Sequence, residues 1–146
     1  MKELKYASLI DSHKFKINCP EEECKEGEIL AYRWCNHPIT DEINFLPNYI
    51  EDEVKGRPPR MLSEEDKKCS ACAISFFDDK DFAIKKFLSF PRSIRLKLGY
   101  THVAEGNIVQ TDGVISPIKG NHFVLYEYNG VLIKDRFLAV DELNVV

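Results

Sequence analysis

The sequence predicts an α+β fold: a mainly antiparallel sheet with two or three helices packed on one side and a β-hairpin at the C-terminal end. Three observations lead there. Residues 28–35, 72–77 and 122–128 are short runs rich in β-branched and aromatic side chains. Asn129-Gly130 separates residues 122–128 from 131–140, and Asn-Gly readily adopts the positive φ angles of a type I′ hairpin turn. Between the apolar runs, residues 79–98 change to a helical period.

In chain order, Gly27 punctuates the start of the first strand, residues 28–35. Residues 36–62, broken by Pro38, Pro47, Gly56, Pro58 and Pro59, read as a long covering loop. Thr40 or Asp41 can cap one helical turn within it, and Pro47 forbids a continuous helix. Ser63 followed by Glu64, Glu65 and Asp66 marks a short helix to about Lys68, with its acids at the positive end. After the buried strand 72–77, Asp78 or Asp79 caps the next helix. Its wheel places Ala83, Ile84, Phe87, Leu88 and Phe90 on one arc, with Lys85, Lys86 and Ser89 facing away. Phe82 falls on the polar side and bends back at the helix start. Pro91 stops this helix and opens a second, residues 92–98, which Gly99 closes. Residues 100–107 and 114–116 are further strands. In residues 122–128 His122, Val124, Tyr126 and Tyr128 share one face, and Phe123, Leu125 and Glu127 the other.

A chain of 146 residues with 44% hydrophobic content fits one domain over residues 1–146, with residues 1–27 expected as a loosely attached N-terminal segment. Such a length removes roughly two-thirds of the unfolded surface from water. No apolar run approaches the about 18–20 residues of a bilayer span, and the first residues lack a signal-peptide core. A cytoplasmic location is the expectation.

The net charge of −4 argues against binding nucleic acid through bulk electrostatics. The charges are nonetheless segregated. Glu21, Glu22, Glu23, Glu26 and Glu28 form one acidic run, whereas Lys80, Lys85, Lys86, Arg92, Arg95 and Lys97 face a single acid, Asp81, across residues 80–97. The five cysteines (Cys19, Cys24, Cys35, Cys69 and Cys72) are an odd number without a secretory signal, which predicts reduced thiols. Cys19 and Cys24, Cys69 and Cys72, and Cys35 with His37 offer zinc-ligand types. Cys72 opens an apolar run and the first pair lacks a knuckle glycine, so no metal is expected.

Glycine-rich phosphate loops, H-E-x-x-H, G-x-S-x-G and EF-hand patterns are all absent. Glu127 stands out as a carboxylate inside an aromatic strand. Buried, it must find a partner or lose its charge. Arg33 is its natural partner, with Glu105 and Arg136 competing; facing water, it needs none.

The series Asn44-Phe45-Leu46-Pro47, Arg57-Pro58-Pro59, Cys72 to Phe77, Ala104-Glu105-Gly106, Asp112-Gly113-Val114 and His122-Phe123 resembles small uncharacterised bacterial proteins over residues 28–140. More distantly, Arg33 on an early strand, Ser75 on a middle strand and Glu127 on a late strand are similar to the arginine–serine–glutamate scheme of ADP-ribosyltransferases. That resemblance implies NAD as substrate, its phosphates held by Arg33, the site ordered by Ser75 and the nicotinamide ribose bonded by Glu127. Two functions are therefore expected. The first is a non-catalytic module without cofactor that binds another protein of a bacterial operon, of toxin–antitoxin or antiviral-defence type, through Lys85, Lys86, Arg92, Arg95 and Phe82, with Trp34, Tyr49 and Tyr128 as further exposed aromatics. The alternative is a small NAD-dependent ADP-ribosyltransferase-like toxin or effector built on Arg33, Ser75 and Glu127. Convergence of those three side chains on one pocket separates the two.

Overall fold

Strand alternation sorts the buried side chains onto two faces of one sheet. A computed structural model describes residues 2–58 and 60–143. Its six strands are β1 (Ile29–Cys35), β2 (Ile74–Phe77), β3 (His102–Ile108), β4 (Gly113–Ile115), β5 (His122–Glu127) and β6 (Leu138–Glu142), all paired antiparallel in the order β4-β5-β2-β1-β3-β6. The expected α+β class is the observed one. Ala31, Cys35, Ile74, Phe76, Ala104, Phe123 and Leu125 build the core on the first face, closed by Phe45, Ile133 and Phe137 from irregular segments. Phe137 lies directly on the β3 backbone at Gly106, where an added Cβ would come within 2.7 Å of its ring.

The second face carries the helices α1 (Ala7–Ser12), α2 (Asn48–Val54), α3 (Glu65–Ser70), α4 (Lys80–Leu88) and α5 (Arg92–Leu98). Val124 and Tyr126 pack with Ile10, Cys69 and Cys72, and Trp34 and Val103 pack with Ile84 and Phe87. Asp79 caps α4 by accepting from the Asp81 and Phe82 amides, and Gly99 ends α5 at φ 67°. Leu88, expected on the buried arc, is the last residue of α4 and is 43% exposed.

Four expectations need correction. The C-terminal hairpin does not form. Asn129-Gly130 does turn the chain, with the Val131 amide donating to the Tyr128 carbonyl, but both edges of β5 are already taken by β2 and β4. The chain must cross the first face, burying Ile133 and Phe137, before β6 joins β3 at the far edge. Residues 1–27 are not loosely attached where described. Leu4 bridges Tyr128, Lys25 bridges Ile115, and Cys19 is disulfide-bonded to Cys69. That bond also corrects the expectation of reduced thiols; Cys24, Cys35 and Cys72 are free. Two cysteines 50 residues apart were brought together by tertiary packing, which spacing does not reveal. Residues 36–62, finally, are not all loop. Asp41 caps a 3-10 turn at Glu42–Phe45, and Pro47 precedes α2.

Candidate functional site

The sheet is complete at both ends and opens in its middle. β1 meets β3 over seven paired positions from Ile29 to Cys35, yet meets β2 only at Tyr32 and Phe77. Beyond that pair the two strands diverge, and peptide groups that would have formed a ladder need other partners. Arg33 supplies one of them on β2 and ties the opening to the segment before α2. Its Nη1 donates to the Ser75 carbonyl at 2.8 Å, its Nε to the Asn44 carbonyl, and its Nη2 to the Leu46 carbonyl and to Glu51. From α2, Asn48 donates to the Ser75 hydroxyl at 3.2 Å. Glu51, 1% exposed, also accepts from Lys55 at 2.8 Å and from the Tyr100 hydroxyl at 2.7 Å. Burial pushes the Glu51 carboxyl up, but Arg33, Lys55 and Tyr100 outweigh it and hold the group below its ordinary range.

On the helical side this opening widens into a cleft of about 720 Å³. Trp34, Phe77, Ser75 and His122 form its floor, Phe82 and Lys86 of α4 with Phe90 just after it one wall, and Cys24, Lys67 and Ser70 the other. Arg60 and Lys119 stand at its rim. Phe82 packs at a tilt against Phe77 with ring centroids 5.9 Å apart, and it lines the cleft. The His122 imidazole is held below its ordinary pKa by burial, then by the nearby Arg33 and Lys86 charges. The floor is thus aromatic and the neutral imidazole sits among cations.

Arg33 and Ser75 both line this cleft, and Glu127 does not. Glu127 opens instead onto a smaller hollow on the first face with Lys5, Tyr6 and Lys134. It is 3% exposed and pairs with Lys5 at 2.7 Å. Burial raises its pKa, and the Lys5 contact only partly offsets that. None of the three expected partners pairs with it: Arg33 is committed to the split, Arg136 pairs with Asp112, and Glu105 lies on β3, three strands from β5. The three residues of the arginine–serine–glutamate scheme are therefore not one site. Among the proposed docking residues, Lys85, Lys86 and Arg92 are exposed and Arg95 is half-buried with an unpartnered Nε. The aromatics expected at the surface are not there: Tyr128 is buried, and the Trp34 indole donates to the Ala83 carbonyl beneath α4.

Sequence reasoning missed Glu51, Asn48 and His122 as parts of the site. For His122 the signal was present, since it shares a strand face with Val124 and Tyr126. Glu51 lay in a segment read as loop, where acids look like surface charge. No family model matches the chain, and neither does any curated protein or solved structure.

Proposed function

We propose that the cleft binds an anionic ligand with an aromatic ring, of the nucleotide class, with NAD as the first member to test. One observation carries the reading. A single concavity combines an aromatic floor (Trp34, Phe77) and wall (Phe82, Phe90) with cations at Lys86 and Lys119, beside Arg60, whose Nε is held by Asp52. Its volume falls in the range of about 300–1,000 Å³ common for small-molecule sites. Stacking suits a base or nicotinamide ring, and the cations suit a phosphate. Arg33 supports the reading indirectly. Every one of its nitrogens is engaged by the protein, so it shapes the cleft and leaves anion contact to Lys86 and the rim. The proposal is one of binding, because Glu127 stands outside the cleft.

Trp34 is the only tryptophan, so its fluorescence reports the cleft alone. Titration with NAD is expected to give a saturable change, and Lys86→Ala to weaken binding by about fivefold, roughly 1 kcal/mol. An anion beside His122 favours the imidazolium, so binding tightens as pH falls through the histidine range. Absence of a saturable response to NAD, ADP and AMP at millimolar concentration would overturn the proposal.

A second reading, docking of a partner protein, has an observation of its own. No residue of α5 is buried, and Ile94 and Leu96 join Leu88 as exposed apolar side chains beside Lys85 and Arg92. A cleft that ignores all three nucleotides shifts the weight to this surface.

A further inference from the structure

Four of the five cysteines come together at one place, and the disulfide accounts for only two of them. Cys19 and Cys24 are spaced C-x4-C and Cys69 and Cys72 are spaced C-x2-C, both within the range of zinc-ligand pairs. The bond from Cys19 to Cys69 joins one member of each pair, with their Cα atoms 5.7 Å apart. The other members, Cys24 and Cys72, belong to the same hydrophobic cluster, which α1, α3 and β5 share through Ile10, Cys69, Val124 and Tyr126. Each pair is bent by its own backbone. The Cys24 amide donates to the Glu21 carbonyl at 3.0 Å, and the Cys72 amide to the Cys69 carbonyl at 3.0 Å. The second bend brings residues three apart onto one side of a helical turn. Tyr126 lies in the same cluster, with its hydroxyl 3.1 Å from the Cys69 sulfur.

We propose that Cys19, Cys24, Cys69 and Cys72 bind one zinc ion in the reduced protein, and that the Cys19–Cys69 disulfide is the oxidised, metal-free state of the same site. With that bond formed, no three ligand-type side chains are arranged to hold a metal among the described residues. A dithiol reductant delivers two electrons and two protons to the disulfide and becomes a disulfide itself, leaving four thiols here. Zinc then displaces four protons to solvent as four Zn–S bonds form. Lys25 and Lys68 are adjacent to the ligands in sequence and oppose the charge of a tetrathiolate complex, and Glu23 beside Cys24 adds to it. The N-terminal segment and α3 supply one ligand pair each, so the metal would fasten one wall of the cleft.

The experiment uses the full chain purified with a phosphine reductant and no chelator. Elemental analysis is expected to give one zinc per chain. Cobalt substitution is expected to give the visible ligand-field bands of tetrahedral thiolate coordination. Cys24→Ser should lower zinc affinity at least tenfold while the oxidised variant keeps its disulfide and its circular dichroism. The oxidised wild type, denatured, should titrate three thiols and bind no cobalt. Reduced protein that binds no stoichiometric zinc overturns the site, as does wild-type affinity in Cys24→Ser. His13 tests the ligand set. Its Nδ1 lies 3.9 Å from the Cys72 sulfur and 2.9 Å from the Leu9 carbonyl, and loss of zinc in His13→Ala with retention in Cys24→Ser would replace Cys24 by the imidazole and overturn the tetrathiolate.

Discussion

Two carboxylates are buried almost equally in this protein, and their surroundings give them opposite character. Glu51 is 1% exposed and Glu127 3%. Glu51 meets Arg33, Lys55 and Arg57 and accepts the Tyr100 hydroxyl. Among the described residues Glu127 is ion-paired with Lys5 alone, with Asp112 near enough to repel it and Arg136 to attract it. The first carboxyl is therefore held below its ordinary range and the second above it, although burial acts upward on both. Burial alone does not set the state of an acid in a core; the number of donors aimed at it does. The difference follows from the topology. Glu51 fills the opening between β1 and β2, where unpaired peptide groups have already drawn in Arg33. Glu127 lies in β5, which is flanked on both edges, and its ion pair comes from the N-terminal segment.

The sharpest way to break this comparison is Glu51→Gln. The substitution preserves shape but leaves Arg33, Lys55 and Arg57 facing a neutral amide. Removing one partner of a buried ionic group typically costs about 3–5 kcal/mol, and chemical denaturation should show a loss of that order. The β1–β2 opening would lose its central anion, so the Trp34 fluorescence of the folded variant should shift as well. A loss below about 1 kcal/mol would mean that the cations simply relax into the cleft.

Tyr100→Phe comes next in size, because it deletes one donor and keeps the three cations. A hydrogen bond to a charged acceptor contributes about 1.5–3 kcal/mol. The pH dependence sharpens the point. A carboxyl whose folded pKa is depressed contributes stability above its ordinary value of 4.5, and that contribution is lost as pH falls through the folded value. With one donor fewer, the folded value rises toward 4.5, so the acid unfolding limb of Tyr100→Phe should move to higher pH than that of the wild type.

The contrast also shows what a sequence can and cannot disclose. Local signals read well where a single chain segment decides the outcome. Asp79 does cap α4, Pro91 and Gly99 do bracket α5, and the two faces of β5 divide as their alternation requires. The aromatic neighbours of Glu127 leave both a buried and a water-facing position open, and the structure buries it. Its partner was not legible, because Lys5 lies 122 residues away in a segment with no pattern of its own. Glu51 was invisible for a related reason. It is an acid among acids in a proline-broken stretch, and only the divergence of β1 from β2 makes that stretch interior. The Asn129-Gly130 turn formed without its hairpin, since pairing beside β5 depended on an edge that β4 had already filled. In the cleft, Arg33 and Ser75 were legible as strand residues on the early and middle strands, whereas the shape that joins them to His122 arises from a missing ladder, which no local period encodes.

Glu127→Gln is expected to have the smallest effect, and its sign distinguishes the two sites most cleanly. Lys5 keeps 22% of its side chain exposed and also donates to the Val131 carbonyl, so it does not become a stranded charge when the carboxylate goes. The cost near neutral pH should stay under about 1 kcal/mol. For a carboxyl whose folded pKa is raised, the native state binds the proton more tightly than the unfolded chain. Stability is thus greatest below the ordinary value of 4.5 and falls as pH rises through the folded value. A glutamine cannot titrate, so the variant should lose that decline. The difference in unfolding free energy between wild type and Glu127→Gln should then drift in the variant's favour as pH rises above 4.5. A drift in the other direction would show that Lys5 holds the carboxylate as firmly as three cations hold Glu51, and the distinction between the two buried acids would disappear.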